Sequence, residues 1–300
     1  PATRGSINPA AQAMPAEPLV IQASISPAPA GVADSKILLE KKPMRCTKPI
    51  LGRVLPALIA VAVVWPAAGQ AQTSAAIDPE AMKLLKRSTD YLAGLKSFSM
   101  DAASSVEAVM PNGQKLQFDH RAVITVKRPN KMRVERVGEL VSQTFYYDGK
   151  SLSISMPGEG FHATVAAPAT LEETLDFARD QLDVIAPGAD IVYKNAYALL
   201  TDGLTSAMVV GENVVGGIRC DHLAFRNAEV DWQICIQTGD KPLPLKMVVT
   251  SKKMPQAPNF AVVLSKWNTS PKITDGMFSF TPAKGSRQIE FLPTASAAKK

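Results

Sequence analysis

The chain has 300 residues, 33 Lys+Arg against 27 Asp+Glu, and a formal net charge of +6. Seven of the basic and three of the acidic residues lie in 1–71, so the remainder carries 26 against 24, or +2. A remainder so close to neutral argues against nucleic acid as a partner, because such binding needs a basic surface that displaces phosphate counterions.

Residues 1–43 are rich in Ala, Pro and Ser and cannot bury enough apolar surface to offset chain entropy. They read as a disordered leader, or as a translation start assigned too early. Residues 44–71 have the three parts of a secretory signal peptide. Met44 opens it, and Arg45, Lys48 and Arg53 supply the positive segment. The apolar run Val54–Val64 follows, and Gly69 and Ala71 place small residues at −3 and −1 of a cut before Gln72. The run is too short for a membrane span, which needs about twenty apolar residues. Cys46 precedes the run, so no lipid-attachment Cys stands at the cut. A periplasmic mature chain is expected, folding as one domain over 72–292 with a disordered tail at 293–300.

Asp78 and Pro79 suit the N-cap and first position of a helix. Ala81, Leu84, Leu85, Ser88, Leu92 and Leu95 recur at helical spacing, and Gly94 marks its end. A second helix is expected over Leu171–Ile185, with Thr170 and Glu173 as a capping box. The rest reads as strands joined by turn residues. They are Ser97–Met110, Gln114–Lys127, Lys131–Val137, Leu140–Tyr147, Ser151–Met156, Ser206–Val215, Ile218–Arg226, Glu229–Gln237, Leu245–Lys252, Asn259–Trp267 and Met277–Phe280. The fold class is α+β, mainly β: a large antiparallel sheet with helices on one face.

One hairpin can be registered from its alternation. A two-residue turn at Asn227-Ala228 sets Arg226 opposite Glu229, Phe225 opposite Val230, Leu223 opposite Trp232 and Cys220 opposite Cys235. That pairing predicts a disulfide between Cys220 and Cys235, in keeping with an oxidising compartment.

No catalytic or metal constellation stands out, and neither cofactor nor metal is expected. His120, His162 and His222 lack ligand partners at useful spacing, and a zinc site from Cys220, His222 and Cys235 lacks a fourth ligand. Asp148-Gly149-Lys150-Ser151 resembles the end of a phosphate loop, but Thr144 replaces the required Gly and a strand follows, so it reads as a β-turn. The aromatics Phe145, Phe225, Trp232, Phe260 and Trp267 read either as sheet core or as the lining of a ligand cavity.

Three segments carry a resemblance. Lys127-Arg128-Pro129-Asn130-Lys131-Met132-Arg133, then Tyr147-Asp148-Gly149-Lys150-Ser151-Leu152, and upstream Leu95-Lys96-Ser97-Phe98, resemble the strand motifs of LolA-type periplasmic lipoprotein carriers. The C-terminal half is similar to a periplasmic family known as domain of unknown function 2092. The similarity lies in Cys220–Arg226, Asp231-Trp232-Gln233, Pro242-Leu243-Pro244, Trp267 and Phe278–Pro282. The resemblance implies an open half-barrel around one or two helices, with an apolar interior for acyl chains. It also implies an interior Arg at Arg128 that latches a lid, and an aromatic where this chain has Met132.

The reading is therefore a non-enzymatic periplasmic protein that holds a lipid acyl chain or a lipidated protein. Its expected ligand-binding residues are Arg128, Met132, Phe145, Tyr147, Leu223, Phe225, Trp232 and Trp267. A monomer touching membranes only transiently is expected. The alternative is an envelope sensor or regulatory module that binds a protein partner with the same fold.

Overall fold

The computed structural model describes residues 76–139, 142–182, 184 and 186–291. The leader, the signal segment 44–71 with its cut before Gln72, and the tail 293–300 lie outside the described residues, as does Ile185.

Helix α1 (Pro79–Gly94) opens the described chain and leads into β1 (Ser97–Val109), β2 (Lys115–Lys127), β3 (Lys131–Gly138), β4 (Ser142–Tyr147), β5 (Ser151–Met156) and β6 (Phe161–Ala166). Helix α2 (Leu171–Leu182), a 3-10 turn (Ala189–Val192) and the short helix α3 (Ala196–Thr201) come next. They are followed by β7 (Ser206–Val215), β8 (Ile218–Arg226), β9 (Val230–Gln237), β10 (Pro244–Ser251) and β11 (Asn259–Asn268). A 3-10 turn (Asp275–Phe278) and β12 (Arg287–Gln288) close it.

All twelve strands join one sheet in the order β12-β6-β5-β4-β3-β2-β1-β11-β10-β9-β8-β7. Two meanders meet at β1, which pairs with both β2 and β11. Among the described residues every strand pairing is antiparallel except β12 with β6, and outside the strands Ile77 bridges Ala207 of β7 in parallel. The end strands β12 and β7 do not pair, so the curled sheet stays an open half-barrel.

Side chains of directly paired residues share a face, so the register defines the buried side. Phe98 faces Val126, Val126 faces Met132, Met132 faces Tyr147 and Tyr147 faces Leu152. On the other wing, Val249, Trp232, Phe225 and Ala207 form the matching row. Trp232 and Phe225 stack with centroids 4.1 Å apart.

Helix α1 begins where its sequence says it should: Asp78 accepts a hydrogen bond from the Glu80 N–H at 2.8 Å, with Pro79 next to it. Its buried stripe of Ala81, Leu85, Ser88, Thr89 and Leu92 packs against β7, β8 and β9. Helix α2 starts at Leu171, where the Glu173 N–H donates to the Thr170 hydroxyl, and ends at Leu182, short of the expected Ile185.

Several expectations are corrected. Met277–Phe280 is not a strand: Asp275–Phe278 forms a 3-10 turn that drives Phe278 into complete burial. Strands β6 and β12 and helix α3 are additions, so three α-helices accompany the sheet among the described residues. The β8–β9 hairpin is registered two residues further along, with Arg226 opposite Asp231, Phe225 opposite Trp232 and Leu223 opposite Ile234. Asn227 causes the shift. Its side-chain oxygen accepts from the N–H groups of both Glu229 and Val230, which widens the turn.

Candidate functional site

The turn between β2 and β3 is clasped onto the helical cover. Arg128, whose side chain is 5% exposed, donates to the Glu172 carboxylate at 3.0 Å and to the Val192 carbonyl. The Leu171 N–H, at the start of α2, donates to the Pro129 carbonyl at 2.9 Å. Glu172 lies in the first turn of α2, where the helix dipole favours negative charge. Burial pulls the Arg128 guanidinium below its ordinary value, and Glu172 opposes that shift. The 3-10 turn that holds Val192 also carries Asp190, which is 6% exposed. Burial raises the Asp190 carboxyl to about 6.

The expected site residues divide into groups. Tyr147, Leu223, Phe225 and Trp232 are packed core, all at 3% exposure or less. Tyr147 is fixed further by its hydroxyl, which donates to the Pro168 carbonyl at 2.7 Å. Leu223, Phe225 and Trp232 lie in the wing covered by α1, while Arg128, Met132 and Tyr147 lie in the wing whose rim α2 clasps. Trp267 is half-buried, packs on Phe98 at 5.9 Å between centroids and donates to the Pro244 carbonyl. Met132 and Phe145 stay half-buried on the concave face, together with Val106, Phe118, Ile124 and Val134.

A cavity of about 460 Å³ opens at the β6 edge, lined by Thr164, Val165, Phe177, Gln181, Leu182 and the C-terminal stretch Gln288–Phe291. Its size falls within the range of small-molecule pockets, yet none of the expected residues lines it. Phe177, an aromatic on α2, was the sequence signal that could have pointed to it.

The shifted hairpin separates the cysteines. Cys220 faces Gln237 and Cys235 faces His222, so the two lie diagonally and both are free. Their face is also less polar than expected, since both are buried with Leu245, beside Val215 and Trp267. Burial pushes the Cys220 thiol up to about 12, and its hydrogen bond with Cys235 adds to the shift. Because the thiolate is the reactive form, the native protein is expected to react slowly with a thiol reagent, and a denatured, unreduced chain that begins at Gln72, and so lacks Cys46, to titrate two thiols. A count of zero would mean that the chain oxidises this pair despite the diagonal register.

Among the described residues no three His, Cys, Asp or Glu side chains are grouped to hold a metal ion. His222 instead bonds the Gln233 amide oxygen at 3.0 Å. Asp148-Gly149-Lys150-Ser151 is a turn, with the Asp148 carboxylate accepting from the Lys150 and Ser151 N–H groups and Gly149 at φ 94°.

Fold and site together define an open, mainly-β half-barrel with an apolar concave face, clasped at one rim by a helical cover. The chain belongs to the family described as "Predicted periplasmic protein (DUF2092)", whose model matches residues 81–292. No curated protein matches it. Similar solved structures include LprF from Mycobacterium bovis, at 13% identity and a TM-score of 0.39, covering 66% of this chain and 97% of that one. The LolA superfamily protein NE2245 from Nitrosomonas europaea gives 12%, 0.32, 67% and 97%. The Pseudomonas aeruginosa MucA/MucB complex gives 18%, 0.39, 67% and 61%.

Proposed function

We propose that this protein is a non-enzymatic binding protein of the bacterial periplasm that holds an acyl chain, of a lipid or of a lipidated protein, on its concave face. The observation that carries this reading is the half-buried apolar surface of Val106, Phe118, Ile124, Val134 and Phe145 beside a cover tied down by one buried ion pair. Membership of a family described as periplasmic, and the signal-like segment 44–71, support export with a mature start at Gln72. Each buried methylene contributes about 0.8 kcal/mol, so a sixteen-carbon chain represents on the order of 12 kcal/mol spread over many contacts. Single truncations such as Phe145→Ala therefore weaken binding only modestly.

Protein taken from a periplasmic extract should begin at Gln72 and carry lipid detectable by mass spectrometry. After delipidation it should bind an apolar fluorescent probe at micromolar concentration. If folded, delipidated protein binds no probe, the reading fails.

A protein-binding module is the second reading, and the β7 edge favours it. Beyond the bridge from Ile77 to Ala207, that edge has no partner strand among the described residues, and its Met208, Val210 and Val214 are 49%, 53% and 59% exposed, with Ile218 of β8 41% exposed. An open apolar edge can take a partner's strand by backbone pairing.

A further inference from the structure

We propose that His120 and Arg136 form a receptor for one anionic group, a carboxylate or phosphate at the head of the bound amphiphile. The inference rests on the acyl-binding reading and assigns the chemistry of the ligand's head.

His120 of β2 faces Gly138 of β3, and a Cβ on Gly138 would lie 2.3 Å from the imidazole Cδ2. The ring therefore lies across the β3 backbone, in space that only a glycine leaves. His120 is 6% exposed, and its Nδ1 has no hydrogen-bond partner among the described residues. Orphaned buried polar atoms are uncommon and costly. Two positions before Gly138 on β3, Arg136 shares the same face, between Ala122 and Gln143. It is half-buried and makes no ion pair or hydrogen bond among the described residues. Burial lowers its guanidinium, and its charge reinforces the burial that keeps His120 neutral. Asp119 and Glu139, the carboxylates that act on His120, are exposed.

Arg128 has Glu172, Arg219 has Glu212 and Arg226 has Asp231, while Arg121 and Arg287, which have no ion pair among the described residues, are exposed to water. Arg136 has none, and a desolvated cation is costly until it is paired. The same face carries Ile124, Val134 and Phe145 alongside it. An anion with an apolar tail satisfies both halves of the site. A guanidinium fork and one imidazole nitrogen can bind one carboxylate or phosphate between them.

The test compares palmitate, lysophosphatidylglycerol and the neutral hexadecanol as displacers of an uncharged naphthylamine dye from delipidated protein. At least one of the two anions should bind about tenfold to a hundredfold tighter than the alcohol, the range that charge-assisted hydrogen bonds supply. Which of the two it is decides between carboxylate and phosphate. Arg136→Gln should abolish that preference and leave hexadecanol binding unchanged. As a readout in wild type, the ring nitrogens of His120 should shift in NMR spectra on adding the preferred anion and not on adding hexadecanol. Equal binding of all three probes, or an unmoved His120, overturns the anion site and leaves acyl binding standing. Binding of none of them overturns both.

Discussion

Glu172→Ala is expected to cost about 3–5 kcal/mol of stability, the range for stranding one member of a buried ion pair, and Arg128→Leu much less. The asymmetry follows from burial. The Arg128 side chain is 5% exposed and that of Glu172 is 24% exposed. Without Glu172, a buried guanidinium keeps only the Val192 carbonyl, and its Nε already has no partner among the described residues. Without Arg128, the carboxylate can hydrate and still accepts from the Lys194 N–H at 3.3 Å. Leucine also fills much of the vacated volume. The double variant should therefore recover most of what Glu172→Ala loses, giving a large coupling in a double-mutant cycle measured by urea unfolding. Both single variants should speed release of an apolar probe, because the clasp joins β2 to α2 and to the 3-10 turn and so biases the cover toward closure. Equal costs for the two single variants would show that the buried guanidinium is not what the clasp protects.

The strands were legible because period-2 alternation survives wherever one face is buried and the other is wet. Helix α1 was legible from its cap, proline and stripe. The β8–β9 register was not, and the reason is specific: a slip of two residues keeps every side chain on its own face. Alternation could therefore exclude odd slips but not choose between Arg226–Glu229 and the observed Arg226–Asp231 pair, which is doubly bonded at 2.7 Å. The Asn227 side chain made that choice by capturing two turn N–H groups. Arg128 was readable through a family resemblance, but its partners Glu172 and Val192 lie 44 and 64 residues away and emerge only once α2 and the 3-10 turn fold over the sheet. His120 and Arg136 are brought together by strand pairing alone, so no local pattern marks them. The β6-edge cavity depends on the C-terminal stretch returning to pair with β6, a long-range event invisible in Arg287–Gln288 themselves.

Asp190→Asn should stabilise the protein at neutral pH by up to about 3 kcal/mol, each pKa unit being worth about 1.4 kcal/mol. The gain should disappear near pH 4. Burial raises the folded-state carboxyl to about 6 from an ordinary value of 3.8. Below 3.8 both folded and unfolded chains are protonated and the group costs nothing. Between 3.8 and 6 the folded chain holds a proton that the unfolded chain has lost, so stability falls as pH rises. Above 6 the folded chain carries a buried carboxylate and the cost is complete. Asparagine keeps an oxygen for the Asp190 backbone N–H that the carboxylate accepts, without the charge. Other carboxylates shift the opposite way: Asp231 is held below its ordinary value chiefly by Arg226, and Asp275 by Lys127 and Lys131. Total stability against pH therefore mixes signs, and the difference between wild type and Asp190→Asn isolates this one group. Urea unfolding of both proteins across pH 4–8 measures it, and a difference that does not change with pH would refute a buried charge at Asp190. The same 3-10 turn supplies the carbonyl that receives Arg128. Mild acid should accordingly tighten the cover in wild type, slowing probe release at pH 5 relative to pH 7, and Asp190→Asn should remove that dependence.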